Sequence, residues 1–210
     1  MNNVLYTIGH SQHDVEYFIY MLQKYHINFI LDVRSTPYSQ FAISYNRENI
    51  KAILKDKDIE YSFMGKFFGA RPEDIRLYTK EGYLDFDKTR KSIKFQSGVD
   101  NVIKGIQSGN NIALMCTEKD PIECHRAIMV ARTFFEKGIN VQHILADSTL
   151  QSHNELNQRL VDLYFPDRYQ ISLFSYENKS DEECLEEAYR YHNKKIGYYL
   201  SESKIMVATV

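Results

Sequence analysis

The fold of this chain is decided by N-I-A-L-M-C-T-E-K-D-P-I-E-C-H-R, residues 111–126, and by A-I-M-V-A-R-T-F-F-E-K-G, which carries it on to Gly138. Ile112 to Cys116 is an unbroken apolar run of strand length. Such a run, lacking alternation, suits a strand buried on both faces. A polar loop follows, then a helical pattern in which Asp120 can cap, Pro121 suits the first position, Glu123 completes a capping box and Gly138 ends the helix. Cys116, Cys124, His125 and Arg126 therefore gather at one strand-to-helix turn. Two thiols, an imidazole and a guanidinium are more than packing requires.

The same alternation extends in both directions. Residues 4–8 form a short apolar strand stopped by Gly9, and Val15, Phe18, Ile19 and Leu22 recur at helical spacing behind a Ser11/Asp14 capping box. Strands are expected at 28–33, 59–63 and 140–145, and helices at 46–57, from Val99 to near Gly109, and at 149–163. Strands that are apolar throughout and alternate with helices predict a three-layer α/β fold, a mostly parallel sheet with helices on both faces. Residues 1–166 make up this domain. Residues 167–210 read as a C-terminal appendage, with an edge strand at 169–176 and a helix capped by Ser180 and Glu183 that ends near Gly197. Residues 64–86 show no element of their own, the pattern of a lid or binding insertion.

Composition narrows the function. A net charge of −2 and a pI near 6.4 exert no global pull on nucleic acid or anionic lipid, so either partner needs a local basic patch. The longest apolar runs are too short to span a bilayer, and the N-terminus enters a strand pattern without a signal-peptide layout. Three cysteines, an odd number in a chain of this length, read as free thiols in the reducing cytoplasm.

In open α/β sheets ligands bind beyond the carboxyl ends of the strands. Those ends carry His10 and Ser11, Asp32 and Arg34, Arg71, and Cys116 with Glu118. Each has two readings. Cys116 is either a buried structural thiol or a thiolate activated by a helix start, although Glu118 and Asp120 oppose the latter. Arg126 either pairs with Glu118, Asp120 or Asp32, or holds a ligand anion; His125 is either an acid/base or is bonded to a loop carbonyl. Asp32 and Arg34 form a plain ion pair or an acid/base with an anion clamp. Ser11 suits a cap better than a nucleophile. A zinc site from Cys116, Cys124, His125 and His10 has suitable ligand types, but its spacing matches no finger or ribbon, and successive helical residues point about 100° apart. No metal is therefore expected. A cysteine-phosphatase or rhodanese cradle is also disfavoured, since ten positions and two acids separate Cys116 from Arg126.

T-I-G-H-S at 7–11, L-D-V-R-S-T-P at 31–37, G-K-F-F-G-A-R at 65–71 and M-C-T-E-K-D-P-I-E-C-H-R at 115–126 resemble the DUF488 family in order and spacing. The resemblance implies a Rossmann-like α/β domain with its motif positions on His10, Ser11, Asp32, Arg34, Pro37, Gly69, Arg71, Cys116, Glu118, Cys124, His125 and Arg126. It brings no established activity, and the cofactor is left unknown. Ala70 stands where the family more commonly has a second glycine. The functional expectation is an enzyme for a phosphate-bearing substrate, a nucleotide or nucleic acid. Arg34, Arg71 and Arg126 would clamp the anion, helped by His10, Ser11 and Cys124, while Cys116 or His125 reacts with Asp32 or Glu118 orienting. Alternatives are a non-catalytic nucleotide or nucleic-acid module, with stacking from the aromatic stretch 61–86, and a redox switch using Cys116 and Cys124.

Overall fold

The computed structural model describes residues 4–168 and 179–201. Six strands form one sheet: β1 (Val4–Gly9), β2 (Phe29–Asp32), β3 (Glu60–Phe63), β4 (Ile112–Cys116), β5 (Asn140–Ile144) and β6 (Leu150–Ser152). Their order across the sheet is β3-β2-β4-β1-β5-β6, parallel except for β6, which runs antiparallel to β5. β4 thus lies between β1 and β2, which brings their carboxyl ends to one edge. This is the expected mostly parallel, Rossmann-like α/β architecture.

β4 shows why the pattern lacked alternation. Ile112, Leu114 and Cys116 enter one apolar core, and Ala113 and Met115 enter the core on the opposite face. The second face is covered by α1 (Val15–Lys24) and α2 (Arg47–Lys55), through Phe18, Leu22, Ile50 and Leu54. The first is covered by the helix Ile93–Gln107 and the helix after β4, with Phe68, Phe95, Val99 and Phe134 at its centre.

Several expected boundaries shift, and the helix expected from Val99 begins already at Ile93. Ser11 sits at φ 43° and caps nothing; Asp14 is the residue before α1 and makes no side-chain cap. The helix expected over 149–163 begins only at His153, because Leu150–Ser152 extends as β6 before the helix His153–Tyr164.

The stretch 64–86 is no free lid. It contains short helices at Gly65–Phe68 and Phe86–Lys91 and an antiparallel bridge between Tyr78 and Leu84. Phe68, Tyr78 and Phe86 are buried, so they offer no stacking surface to a base. The C-terminal segment pins this stretch. Leu84 N–H donates to the Tyr198 carbonyl, Leu200 N–H to the Gly82 carbonyl, and Asn193 Nδ2 to the Leu84 carbonyl. The helix Asp181–Ile196 carries the capping box at Ser180 and Glu183 and buries Ala188 and Tyr189 in the main core. The strand expected at 169–176 lies outside the described residues. Among those described, no helix is long and apolar enough to cross a membrane.

Candidate functional site

Past the end of β1 the sheet pairing continues into the loops. His10 N–H donates to the Cys116 carbonyl and Ser11 N–H to the Thr117 carbonyl, each at 2.9 Å. The loop after β4 crosses directly over Gly9, where a Cβ would lie 1.9 Å from the Glu118 carbonyl oxygen. Only a glycine permits this approach. Arg126 holds the crossing from below, its Nη1 donating to that carbonyl at 2.7 Å.

The single helix expected from Asp120 does not form. Asp120 does cap, accepting from the Ile122 N–H at 3.1 Å, but the element it caps is a 3-10 turn, Pro121–Glu123. Cys124 then adopts extended backbone (φ −133°, ψ 134°), and the chain re-enters helix as a π turn, Arg126–Ala131, continuing into Arg132–Glu136. Cys124 and His125 are therefore not successive helical positions, and the expected 100° divergence does not apply.

Instead, one ligand-type atom from each of Cys116, Glu118, Cys124 and His125 lies within 4.8 Å of all the others. The His125 Nδ1 is 3.9 Å from both sulphurs, and the Cys124 sulphur and Glu118 Oε2 are hydrogen-bonded at 2.8 Å. His125 Nε2 donates to the Val33 carbonyl at 3.1 Å, which in the neutral ring leaves Nδ1 as a lone pair facing the thiols. His125 is thus bonded to a loop carbonyl, and this bond orients the ring.

These groups perturb one another. Burial pushes the Cys116 thiol well up, aided by its hydrogen bond with Cys124. For Cys124 burial also opposes the thiolate, but the Cys116 hydrogen bond, Arg126 and His125 pull its pKa well down. Burial and then the Cys124 charge raise Glu118. Burial opposes the His125 imidazolium, yet the Cys124 hydrogen bond and charge, with Glu118, hold its pKa above the ordinary value.

Two of the three expected anion clamps are committed elsewhere. Arg34 binds Asp32 in two places, Nε to Oδ1 at 2.9 Å and Nη2 to Oδ2 at 2.6 Å, and Tyr61 donates to the same carboxylate at 2.7 Å. This is a buried ion pair, and its remaining donor Nη1 meets His10 Nε2 at 3.3 Å. His10 is stacked under Tyr45, and burial and then the Arg34 charge bring its pKa down to about 3. Arg126 is 0 % exposed, with Nε and Nη2 meeting no hydrogen-bond partner. It cannot touch a ligand in the pocket as it stands.

Arg71 alone of the three is exposed, its guanidinium held 4.7 Å above the Tyr198 ring and in no ion pair among the described residues. It lines a cavity of about 420 Å³ whose lining also includes Arg34, Cys116, Glu118 and His125. Asp32, His10, Ser11, Cys124 and Arg126 do not line it. Ser35 and Thr36 also line it; sequence reasoning missed them, although they stand inside the quoted 31–37 motif, which is the signal that points to them. Tyr198 also lines it, though it comes from the supposed appendage and carries no sequence signal. Ala70 is accommodated in the same wall, after a Gly69 whose Cβ would lie 2.5 Å from the Gly65 carbonyl oxygen.

Fold and site together define a Rossmann-like α/β protein with a thiol-, imidazole- and carboxylate-lined pocket at the carboxyl edge of its sheet. The chain belongs to the DUF488 family, described as a domain of unknown function, which matches residues 14–133. That span holds the motifs at 31–37, 65–71 and 115–126 and begins after the one at 7–11. No curated protein and no solved structure matches the chain.

Proposed function

We propose that the protein is an enzyme acting on a small phosphate-bearing substrate, with the anion at Arg71 and the reacting bond over Cys116, Glu118 and His125. The observation that carries this is the placement, around one cavity, of a guanidinium in no ion pair among the described residues and of a thiol, a carboxylate and an imidazole. Arginine matches phosphate through two parallel donors, and Ser35 and Thr36 add hydroxyls beside it. Arg34 contributes little net charge, because Asp32 neutralises it. Glu123, on the same wall, is tied to Lys195 at 2.7 Å. At the floor, a carboxyl and an imidazole, both with pKa values shifted upward, stand side by side, the group types that carry out proton transfer. The high pKa of Cys116 disfavours a free thiolate nucleophile there.

Calorimetry of nucleoside monophosphates against the matching nucleosides tests the reading. The phosphate should confer a preference that weakens with salt and disappears in Arg71→Met. Equal binding of both ligands, or a preference indifferent to Arg71→Met, overturns it. A non-catalytic module would show the same preference, with no substrate turned over by the wild type and no effect of His125→Ala on conversion.

A thiol-redox role is the second reading, favoured by the closeness of Cys116 and Cys124 within the cluster. Peroxide would take two electrons from the pair to form one disulfide. Mass spectrometry showing no Cys116–Cys124 bridge after mild peroxide treatment removes it.

A further inference from the structure

We infer that Cys116, Glu118, Cys124 and His125 form a binding site for one divalent transition-metal ion, with zinc the best match to the ligands. Two sulphurs, an imidazole nitrogen and a carboxylate oxygen are the donor set zinc takes in four-coordinate sites. Their atoms already converge within 4.8 Å of one another. Ligands about 2.0–2.3 Å from a shared tetrahedral centre stand roughly 3.5 Å apart. The two sulphur–nitrogen separations of 3.9 Å are close to that.

The surroundings are those of a metal site as well. The Val33 carbonyl takes the His125 Nε2 proton, which fixes the ring so that Nδ1 presents a lone pair inward. The Arg126 backbone N–H donates to the Cys124 sulphur at 3.4 Å, the kind of bond that stabilises a thiolate ligand. Sulphur and carboxylate oxygen stand 2.8 Å apart, so if both are ionised they need a proton or a cation between them.

Charge balance is compatible with such an ion. Two thiolates, one carboxylate and a divalent ion sum to a single negative charge. Arg126, directly behind the cluster, is a wholly buried cation in no ion pair among the described residues, with two of its nitrogens unbonded. A buried guanidinium demands a compensating charge. The occupied site supplies it.

This inference goes beyond the phosphate reading and does not rest on it: Arg71 reports on the rim and the metal on the floor. The full chain, stripped with chelator under reducing conditions, is titrated with Zn²⁺ and separately with Co²⁺. Expected are one metal per chain by elemental analysis, protection of Cys116 and Cys124 from a thiol reagent that chelator reverses, and a Co²⁺ spectrum with tetrahedral visible bands and a sulphur-to-cobalt charge-transfer band. Cys116→Ser and Cys124→Ser should each weaken that band. Glu118→Gln should keep it while lowering Zn²⁺ affinity at least about tenfold. If the cysteine variants fail to fold, the wild-type cobalt spectrum and thiol protection decide. Substoichiometric zinc, a cobalt spectrum without the thiolate band, or thiols equally reactive with and without zinc overturns the inference.

Discussion

Asp32 and Arg34 illustrate how single residues hold this site's frame. Their side chains are almost sealed from solvent, joined at two points, and further tied through Tyr61 and the Tyr45 carbonyl. Removing one charge from such a pair strands the other in a medium that solvates it poorly. Asp32→Asn should therefore destabilise the protein by about 3–5 kcal/mol, read as a lowered urea midpoint. A midpoint within error of the wild type would mean that Arg34 escapes to solvent. Arg34, occupied in this way, lines the pocket wall and, after burial, adds to the lowering of the His10 pKa, while Arg71 is the exposed guanidinium on the same wall.

At the scale of elements, the helix after β4 does two jobs. Its π turn, Arg126–Ala131, is buried all round and feeds Arg126 under the site, while its following turn presents Arg132 to the C-terminal helix. The Arg132 guanidinium stacks 3.8 Å over the Tyr189 ring and bonds Glu136 and Glu186. The Tyr189 hydroxyl in turn donates to Asn157 and meets His153, joining the two C-terminal helices, and His153 meets His143 of β5. Tyr189→Phe should keep the stacking and lose these bonds. The expected cost is about 1–3 kcal/mol by urea unfolding, because a buried partner is left unsatisfied. An unchanged midpoint would show that the hydroxyl network contributes nothing.

For the whole molecule, the buried histidines set a pH dependence. Thr7 Oγ1, His143, His153 and Tyr189 form a continuous buried chain, with Phe135 against His153. Burial lowers both histidines, His153 to about 3. The charges acting against protonation are His153, Arg126 and Arg159 on His143, and Arg132 and Arg90 on His153. In the unfolded chain both titrate near 6.5. Below that pH the unfolded state binds more protons than the folded one, so their contribution is complete above about 6.5 and declines as pH falls. The slope is about 1.4 kcal/mol per pH unit for each histidine. Urea midpoints should drop between pH about 7 and about 5, and His153→Gln should flatten part of the fall. A midpoint constant over that range would mean that water reaches these rings.

Much of this protein is local in origin and can be read along the chain. The apolar run at Ile112–Cys116, the strand and helix periods around it, and the Ser180/Glu183 capping box depend on residues within a few positions of one another. So does the concentration of polar side chains at strand ends, because a parallel sheet places those ends together. Contacts between distant segments decided the rest. The extended backbone at Cys124, whose side chain is buried in the same core as Cys116 of β4, turned two thiols, an imidazole and a carboxylate into one cluster where helical spacing predicts divergence. The commitment of Arg34 to Asp32, the sealing of Arg126 beneath Gly9 and the Glu118 carbonyl, and the arrival of Tyr198 beside Arg71 likewise depend on which groups lose water together. Desolvation is a property of the packed molecule, and no window of sequence contains it.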